Sequence, residues 1–361
     1  MSNCNYTPLL DKMKARVYSL PTNYTKDVPG IKFKFKKNTC FNNLKEDDLI
    51  TAKNLLDGFS KNKWNFFRDL VNPYEFGNID KTKYINRAYF KLHEIIKVFD
   101  LEKIANKNID FSGVCEFPCG FTKCILDNDV FSKSVINVNI MSNDDNKPKL
   151  NNYYKQNINI DIVDITDKEQ LKEVLKGKSH KSMLVTSDGG INENKEYSKK
   201  EVMHYRLKLC EIGTSLRLLD EGGVLVIKFF DFFTKPSIEM AYYLSFFFKE
   251  MYMYKPLTSR PTNSERYMIC KYMVKRESNL VLNIPGNLEN LSSFLSDNVP
   301  IEFSKKMKKA SEHIINTQIN NIKFVVGKMT SDIDDREKKY FNSNKKSEQQ
   351  KFFRELDVKL F

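Results

Sequence analysis

Nowhere does the chain approach the ~18 uninterrupted apolar residues that a membrane-crossing helix needs, so no such span is expected. Its first residues, MSNCNYTPLLDKMKARVYSL, lack the apolar core of a signal peptide. An intracellular protein is expected, nuclear or cytoplasmic. Cysteine is scarce and odd in number, seven in 361 residues, which argues for reduced thiols rather than a disulfide framework. Cys115, Cys119 and Cys124 form C-x3-C-x4-C, but a fourth ligand is missing nearby and the first cysteine sits in an apolar strand, so no metal is expected. Disorder throughout is excluded by an apolar fraction of 41%, and the length allows one large core or two modest ones.

What the chain has in excess is positive charge, +13 overall. The economical partner for a basic face is nucleic acid, because phosphate contacts release counterions; a base-composition bias toward Lys and Asn is the bland alternative. Residues 1–63 carry 12 Lys or Arg against 6 Asp or Glu, so 12 − 6 = +6 falls there. The alternation IKFKFKKN at 31–38 reads as an edge strand with one basic and one aromatic face. We take 1–63 as a basic N-terminal extension, with a helix near 46–60.

From Trp64 the texture changes. Tyr84, Ala88, Leu92, Ile95, Ile96 and Phe99 share one helical face, and Lys91 within that helix reads locally as a snorkelling lysine. FSGVCEFPCGFTKCIL (111–126) reads as a strand, a tight turn and a helix from about Phe121, where free backbone N–H groups suit a nucleoside ligand. Strands follow at 134–141, 157–163 and 182–188. A polar loop NDDNKPKLNNYY and a helix near 167–176 separate them. Alternation of this kind indicates an α/β fold with a largely parallel sheet and helices on both faces. Asp164 and Asp188 fall just past strand ends. A long helix (198–219) leads to Asp220-Glu221-Gly222-Gly223, read as a turn closed by glycines. Then come the apolar strand Val224-Leu225-Val226-Ile227 ending in Lys228, a helix near 236–248, a strand near 250–255, the loop SRPTNSE and a last strand YMICKYMV. A lysine after such an apolar run is expected only at the sheet's carboxyl edge, where ligands bind in open α/β folds. A helical stretch, IEFSKKMKKASEHIINTQINNIKFVVGKM, completes 276–330. The tail 331–361 carries Phe352, Phe353, Leu356 and Leu360 at helical spacing, as a docking helix or a tail ordered by a partner.

The segments NPYEF (72–76), INRAYFKL (85–92), SDGG (187–190), GGVLVIKFFDFFT (222–234) and KPLTSRPTNSERYMICK (255–271) resemble the FtsJ/RrmJ family of S-adenosylmethionine-dependent RNA ribose 2'-O-methyltransferases. Within it they are most similar to the branch that methylates the first transcribed nucleotide of capped mRNA. The likeness runs from about Trp64 to Met329, with 64–275 as the methyltransferase domain. It implies a Rossmann-like sheet with an antiparallel last strand, and a catalytic tetrad of Lys91, Asp188, Lys228 and Glu265. It implies a methyl-donor site at Phe117, Pro118, Gly120, Phe121, Asp164 and Asp188. The RNA 5' end is expected near Arg68, Asn72, Ser259, Arg260, Asn263 and Ser264, and the terminal extensions are candidate contacts for a protein of the capping machinery. The turn departs from the family's D-x-C/G-A-x-P-G-G-F/W: Gly113 stands at the aspartate and Cys119 at a glycine.

A ribose 2'-hydroxyl is a weak nucleophile, so methyl transfer to it needs a positioned proton acceptor. Lysine accepts a proton only when neutral. From an ordinary value of about 10.4, burial and the neighbouring Lys91 are expected to lower Lys228, while Asp188 and Glu265 fix its geometry. For a cationic methylated guanine, aromatic stacking plus an acid is expected, with Trp64, Phe66, Phe67, Tyr74 and the aromatics of 229–233 as candidates and core packing favoured for Phe229 and Phe230. Methylation of rRNA or tRNA, or a non-catalytic cap-binding role, are the competing readings.

Overall fold

The computed structural model describes residues 8–36, 44–76, 84–105, 108–143, 150, 154–176, 181–191, 200–274, 280–331 and 333–358. Most of the polar loop expected at 143–154, the start of the long helix at 198–199, Lys37-Asn38 and Leu360 lie outside them.

Strands β1 (Tyr18–Leu20), β3 (Ile109–Val114), β4 (Val135–Ser142), β5 (Asn157–Ile162), β6 (Ser182–Ser187), β7 (Leu219–Phe229), β8 (Phe248–Tyr254) and β9 (Arg266–Met273) form one sheet in the order β1-β8-β9-β7-β6-β3-β4-β5; β2 (Ile31–Phe35) pairs separately with β10 (Leu291–Leu295). From β5 through β7 the neighbours are parallel, and β9 runs antiparallel to both of its neighbours. Helices α1 (Leu9–Lys14), α2 (Leu44–Asn54), α3 (Lys61–Val71), α4 (Ala88–Val98), α5 (Gly120–Asp127), α6 (Lys168–Lys176), α7 (Lys200–Leu218), α8 (Lys235–Leu244), α9 (Ile301–Thr330) and α10 (Asp335–Glu355) surround it. Burial on both faces explains the unbroken apolar run of β7. Leu225 and Ile227 enter the core on one side of the sheet, and Val224 and Val226 enter the other.

One expectation changes here. Asp220–Gly223 is not a turn outside the sheet: it is a bulge within β7, between the pairs Ser182–Leu219 and Leu184–Val224. Gly222 takes the left-handed φ of +78° that the bulge requires. The basic alternation at 31–35 is an edge strand as expected, one of the two strands of the small sheet it forms with β10.

The described residues before 64 are built into the fold. β1 extends the main sheet at β8, and α2 packs on α9, with Leu49 and Ala52 buried against Ile315, Ile319 and Ile322. The charged tail forms α10, docked in the same chain. Asp334 caps it by accepting from Glu337 N. Phe352 is fully buried against Tyr74, Phe76 and Phe90, and Tyr74 Oη donates to Glu348 Oε2 at 2.8 Å. Truncating a buried phenylalanine costs about 3–5 kcal/mol. Phe352→Ala should lower the unfolding free energy by that amount in a urea titration, whereas the same change at the exposed Tyr340 should leave it within about 0.5 kcal/mol.

Candidate functional site

The chain leaves β3 for β4 and β5 and then returns at β6 on the other side of β3. This reversal opens a crevice at the carboxyl ends of β3 and β6, the usual ligand position in open α/β sheets. Asp188 follows β6, and Lys228 is the penultimate residue of β7. β9 runs antiparallel, so Glu265, just before its start, reaches the same edge; Tyr267 is the register partner of Lys228. Lys91 arrives from α4.

All four residues come together. Lys91 Nζ lies 2.8 Å from Glu265 Oε1 and donates to Oε2 at 2.9 Å. Lys228 Nζ lies 3.2 Å from Asp188 Oδ1 and donates to the Asp188 backbone carbonyl at 2.6 Å. Tyr267 Oη donates to the same Oδ1 at 2.9 Å, and Ser259 Oγ donates to Glu265 Oε1 at 2.8 Å. Lys91 is only 7% exposed, so it is an ion-paired buried lysine and not a snorkelling one. Burial alone would lower Lys228, but the carboxylates of Asp188, Glu265 and Glu211 outweigh it and raise it above the ordinary lysine range. The expected depression is therefore reversed. Burial likewise works against the Glu265 carboxylate, yet Lys91 and Lys228 hold it well below the ordinary carboxyl range.

Several residues that the sequence reading missed hold these groups in place. Glu94, fully buried on α4 three residues after Lys91, accepts from Tyr254 Oη at 2.5 Å, from Leu257 N at 2.7 Å, and from Thr258 N and Oγ1 at 3.0 and 2.8 Å. It thereby pins the loop that carries Ser259. Lys255 Nζ donates to Asn263 O, Asn263 Oδ1 and Glu265 O at 2.8, 2.7 and 2.8 Å, and burial pushes it well below the ordinary lysine range. Glu211 and Lys208 of α7 grip Gly189 from behind. A charged residue inside an otherwise apolar helical face was the available signal at Glu94 and Glu211.

At the turn after β3, Glu116 turns inward. Its Oε1 accepts from Thr122 N and its Oε2 from Thr122 Oγ1, both at 2.6 Å, so an N–H at the start of α5 that was expected to be free for a ligand is already occupied. A Cβ built on Gly113 would lie 2.4 Å from Glu116 Oε2. The family's strand-end aspartate is absent here, and a carboxylate from three residues further on fills the space beside that position. Burial, with Asp188 nearby, pushes the Glu116 carboxyl up to about 8 against the pull of the Thr122 hydrogen bonds. Phe117 is 38% exposed at the turn, Pro118 is half-buried, and Gly120 and Phe121 are buried. Asp164, exposed beyond β5, accepts from Thr166 N and Oγ1 through Oδ1.

The residues expected at the RNA end divide into groups. Arg68, Asp69, Glu75, Arg87 and Arg260 form a cluster: Arg87 Nη1 and Arg260 Nε reach Glu75 Oε2 at 2.6 and 3.0 Å, and Arg68 Nε reaches Asp69 Oδ1 at 2.7 Å. Asn72 is buried, with Oδ1 accepting from Tyr74 N and Nδ2 without a partner among the described residues. Together with Arg16, Ser259 and Thr317 it lines a cavity of about 270 Å³. Asn263 is bound to Lys255, and Ser264 is buried. Among the aromatics, Trp64 packs beside the Leu49–Ile315 cluster, Tyr74 and Phe229 are buried, and Phe66 is 54% exposed. Phe230 departs from the core expectation: it is half-buried, with Lys228 Nζ 5.8 Å from its ring centre.

Residues 84–273, more than half of the chain, match the family model described as FtsJ-like methyltransferase. A Dictyostelium discoideum protein named cap-specific mRNA (nucleoside-2'-O-)-methyltransferase 1 is 31% identical over 288 residues, covering 70% of this chain and 37% of its own length. Caenorhabditis briggsae contributes a relative named cap-specific mRNA (nucleoside-2'-O-)-methyltransferase 1A, 28% identical over 272 residues and covering 65% and 31%. Another from the same organism, named the inactive enzyme 1B, is 26% identical over 262 residues and covers 62% and 31%. The chain thus spans about a third of the length of these relatives.

The folded protein keeps the Glu116 proton up to about pH 8, whereas an unfolded chain loses it near 4.5. Its contribution to stability should therefore decline as pH rises across that window, by at most ~1.4 kcal/mol per pH unit. Glu116→Gln, which keeps both contacts to Thr122, should flatten the pH dependence of the urea midpoint relative to the unsubstituted protein.

Proposed function

The chain belongs to the FtsJ-like methyltransferase family, and we propose that it methylates the ribose 2'-hydroxyl of the first transcribed nucleotide of N7-methylguanosine-capped mRNA. One observation carries the reading. Two buried Lys–carboxylate pairs, drawn from four separated elements, meet at the sheet edge where the family's chemistry is expected.

S-adenosylmethionine, the family's donor, supplies an electrophilic methyl group on a sulfonium. The residues present fit it. Gly190 keeps the crevice wall beside Lys228 free of a side chain, a Cβ there lying 3.5 Å from Lys228 Nζ. Asp188 offers a carboxylate to positive charge, and Asp164 and Phe117 are accessible at the rim. Because Glu116 occupies Thr122 N, Asp164 and the Phe117–Gly120 backbone are the groups assigned to hold the donor.

Lys228 Nζ is the atom assigned to accept the 2'-hydroxyl proton. It is held as an ammonium by the surrounding carboxylates, so it must first release a proton. A cation entering beside Asp188 competes for that carboxylate and lowers the lysine. Asp188 fixes Nζ through its carboxylate and its carbonyl, and Lys91 neutralises Glu265, so the tetrad as a whole carries no net charge. At the other end, three guanidiniums of Arg68, Arg87 and Arg260 face two carboxylates of Asp69 and Glu75, an excess suited to phosphates. Phe66 and Asp69 are three apart on α3 and so neighbours on its surface. We assign them to the methylated guanine, one for stacking and one for its charge.

The test incubates the protein with labelled methyl donor and short RNAs that are uncapped, capped, or capped and already 2'-O-methylated. Label should enter only the capped, unmethylated RNA; equal labelling of uncapped RNA would sink the cap assignment. Lys228→Ala and Lys228→Arg should both lose transfer by at least ~100-fold while still binding RNA. The arginine variant keeps the charge but cannot give up its proton, so an active Lys228→Arg enzyme would rule out the proton-acceptor role. A protein that binds capped RNA and transfers nothing would instead support the non-catalytic reading.

A further inference from the structure

Behind the tetrad lies a further buried ion pair that the proposed chemistry does not use. Lys208 and Glu211 sit on the inward face of α7, with side chains 4% and 0% exposed, and are bonded to each other. Neither faces the ligand crevice directly; both act on the chain around Asp188. Glu211 Oε1 accepts from Ser187 Oγ at 2.9 Å and from Gly189 N at 2.8 Å. Lys208 Nζ donates to Gly189 O at 3.1 Å. Thus the residue before Asp188 and both backbone polar groups of the residue after it are held by one pair. The grip requires the glycine, since a Cβ at 189 would meet Glu211 Oε1 at 2.5 Å.

Asp188 itself is the double anchor of Lys228, through its carbonyl and its carboxylate. Any rotation of the 188–189 peptide would swing that carbonyl away from Nζ. The ring of Phe230 is near both ammoniums, 5.8 Å from Lys228 Nζ and 5.9 Å from Lys208 Nζ. A buried ion pair is a costly way to brace a turn when apolar residues of similar volume would fill the space, which is an argument that its hydrogen bonds to the chain around Asp188 have a use.

We propose that Lys208 and Glu211 are a positioning pair for methyl transfer: they set the Asp188–Gly189 peptide so that Lys228 is aimed into the crevice. The inference rests on Lys228 being the proton acceptor. Lys208 belongs electrostatically to the same group, lowered first by burial and then by Lys228, with Glu211 opposing, while Glu211 is among the carboxylates that raise Lys228.

The test replaces both residues, Lys208→Met with Glu211→Gln, so that no unpaired charge is left buried, and follows methyl transfer to capped RNA and thermal unfolding in parallel. With the fold intact, kcat should fall about tenfold or more while KM for RNA and donor stays within about twofold. Unchanged kcat, or a loss of transfer carried by a raised KM with kcat unchanged, would overturn the proposal and leave the pair a packing feature. Should the double variant fail to fold, Glu211→Asp keeps the charge but shortens the reach: kcat should fall with KM in place, and an unchanged kcat overturns the proposal. If Lys228→Arg is inactive while the double variant equals the unsubstituted protein, only this inference fails; if Lys228→Arg is active, the reading beneath it has failed.

Discussion

A desolvated carboxylate must find hydrogen-bond donors or a cation, because leaving it unpartnered inside the fold costs several kcal/mol. At the carboxyl edge of this sheet that requirement is repeated in one loop after another. Glu116 closes the turn after β3, Glu211 the turn after β6, and Glu201 accepts from Phe233 N and from Thr234 N and Oγ1 after β7. Glu94 reaches from α4 to the loop after β8. Burial raises Glu94, Glu116 and Glu201 alike, and their hydrogen bonds pull the other way. Each loop that brings a candidate site residue to the crevice is thereby tied to a rigid element by buried hydrogen bonds.

The same requirement separates what could be read in the sequence from what could not. Strands and helices between 109 and 273 follow from apolar runs and glycine punctuation, and their positions agree with the structure to within a few residues. Lys228 betrayed itself as a charge at the end of an apolar strand. Lys91 did not: on its own helix it looked like a surface lysine, because the partner that makes it a buried ion lies 174 residues away in Glu265. The direction of the Lys228 pKa was also misjudged, for a related reason. Burial and a neighbouring cation were visible, but the number of carboxylates converging on it depends on contacts among β6, α7 and β9 that only folding creates.

The N-terminal residues show a different limit. Tyr18–Leu20 is too short to carry a periodic signal, and the alternation at 31–38 announced a strand but not its partner, since β8 and β10 lie far away in sequence. Their role as edge and cover strands is a property of the partners. Gly113 reads as the loss of an aspartate and, in the fold, coincides with the space that Glu116 fills. Substitutions of this paired kind look like erosion in one dimension and like exchange in three.

The docking of α10 has a consequence in time rather than in space. Lys345 donates to the carbonyl of Asp69, and Gln349 to that of Glu75, so the wall beside the arginine cluster is finished by residues translated more than 270 positions later. On the ribosome the sheet and the Lys91–Glu265 pair can assemble as soon as β9 has emerged, while the segment carrying Asp69 and Glu75 still lacks those two ties. A nascent chain would therefore complete its buried ion pairs before the wall beside the arginine cluster is braced, and the last part of the surface to be fixed is set by the order in which the protein is made.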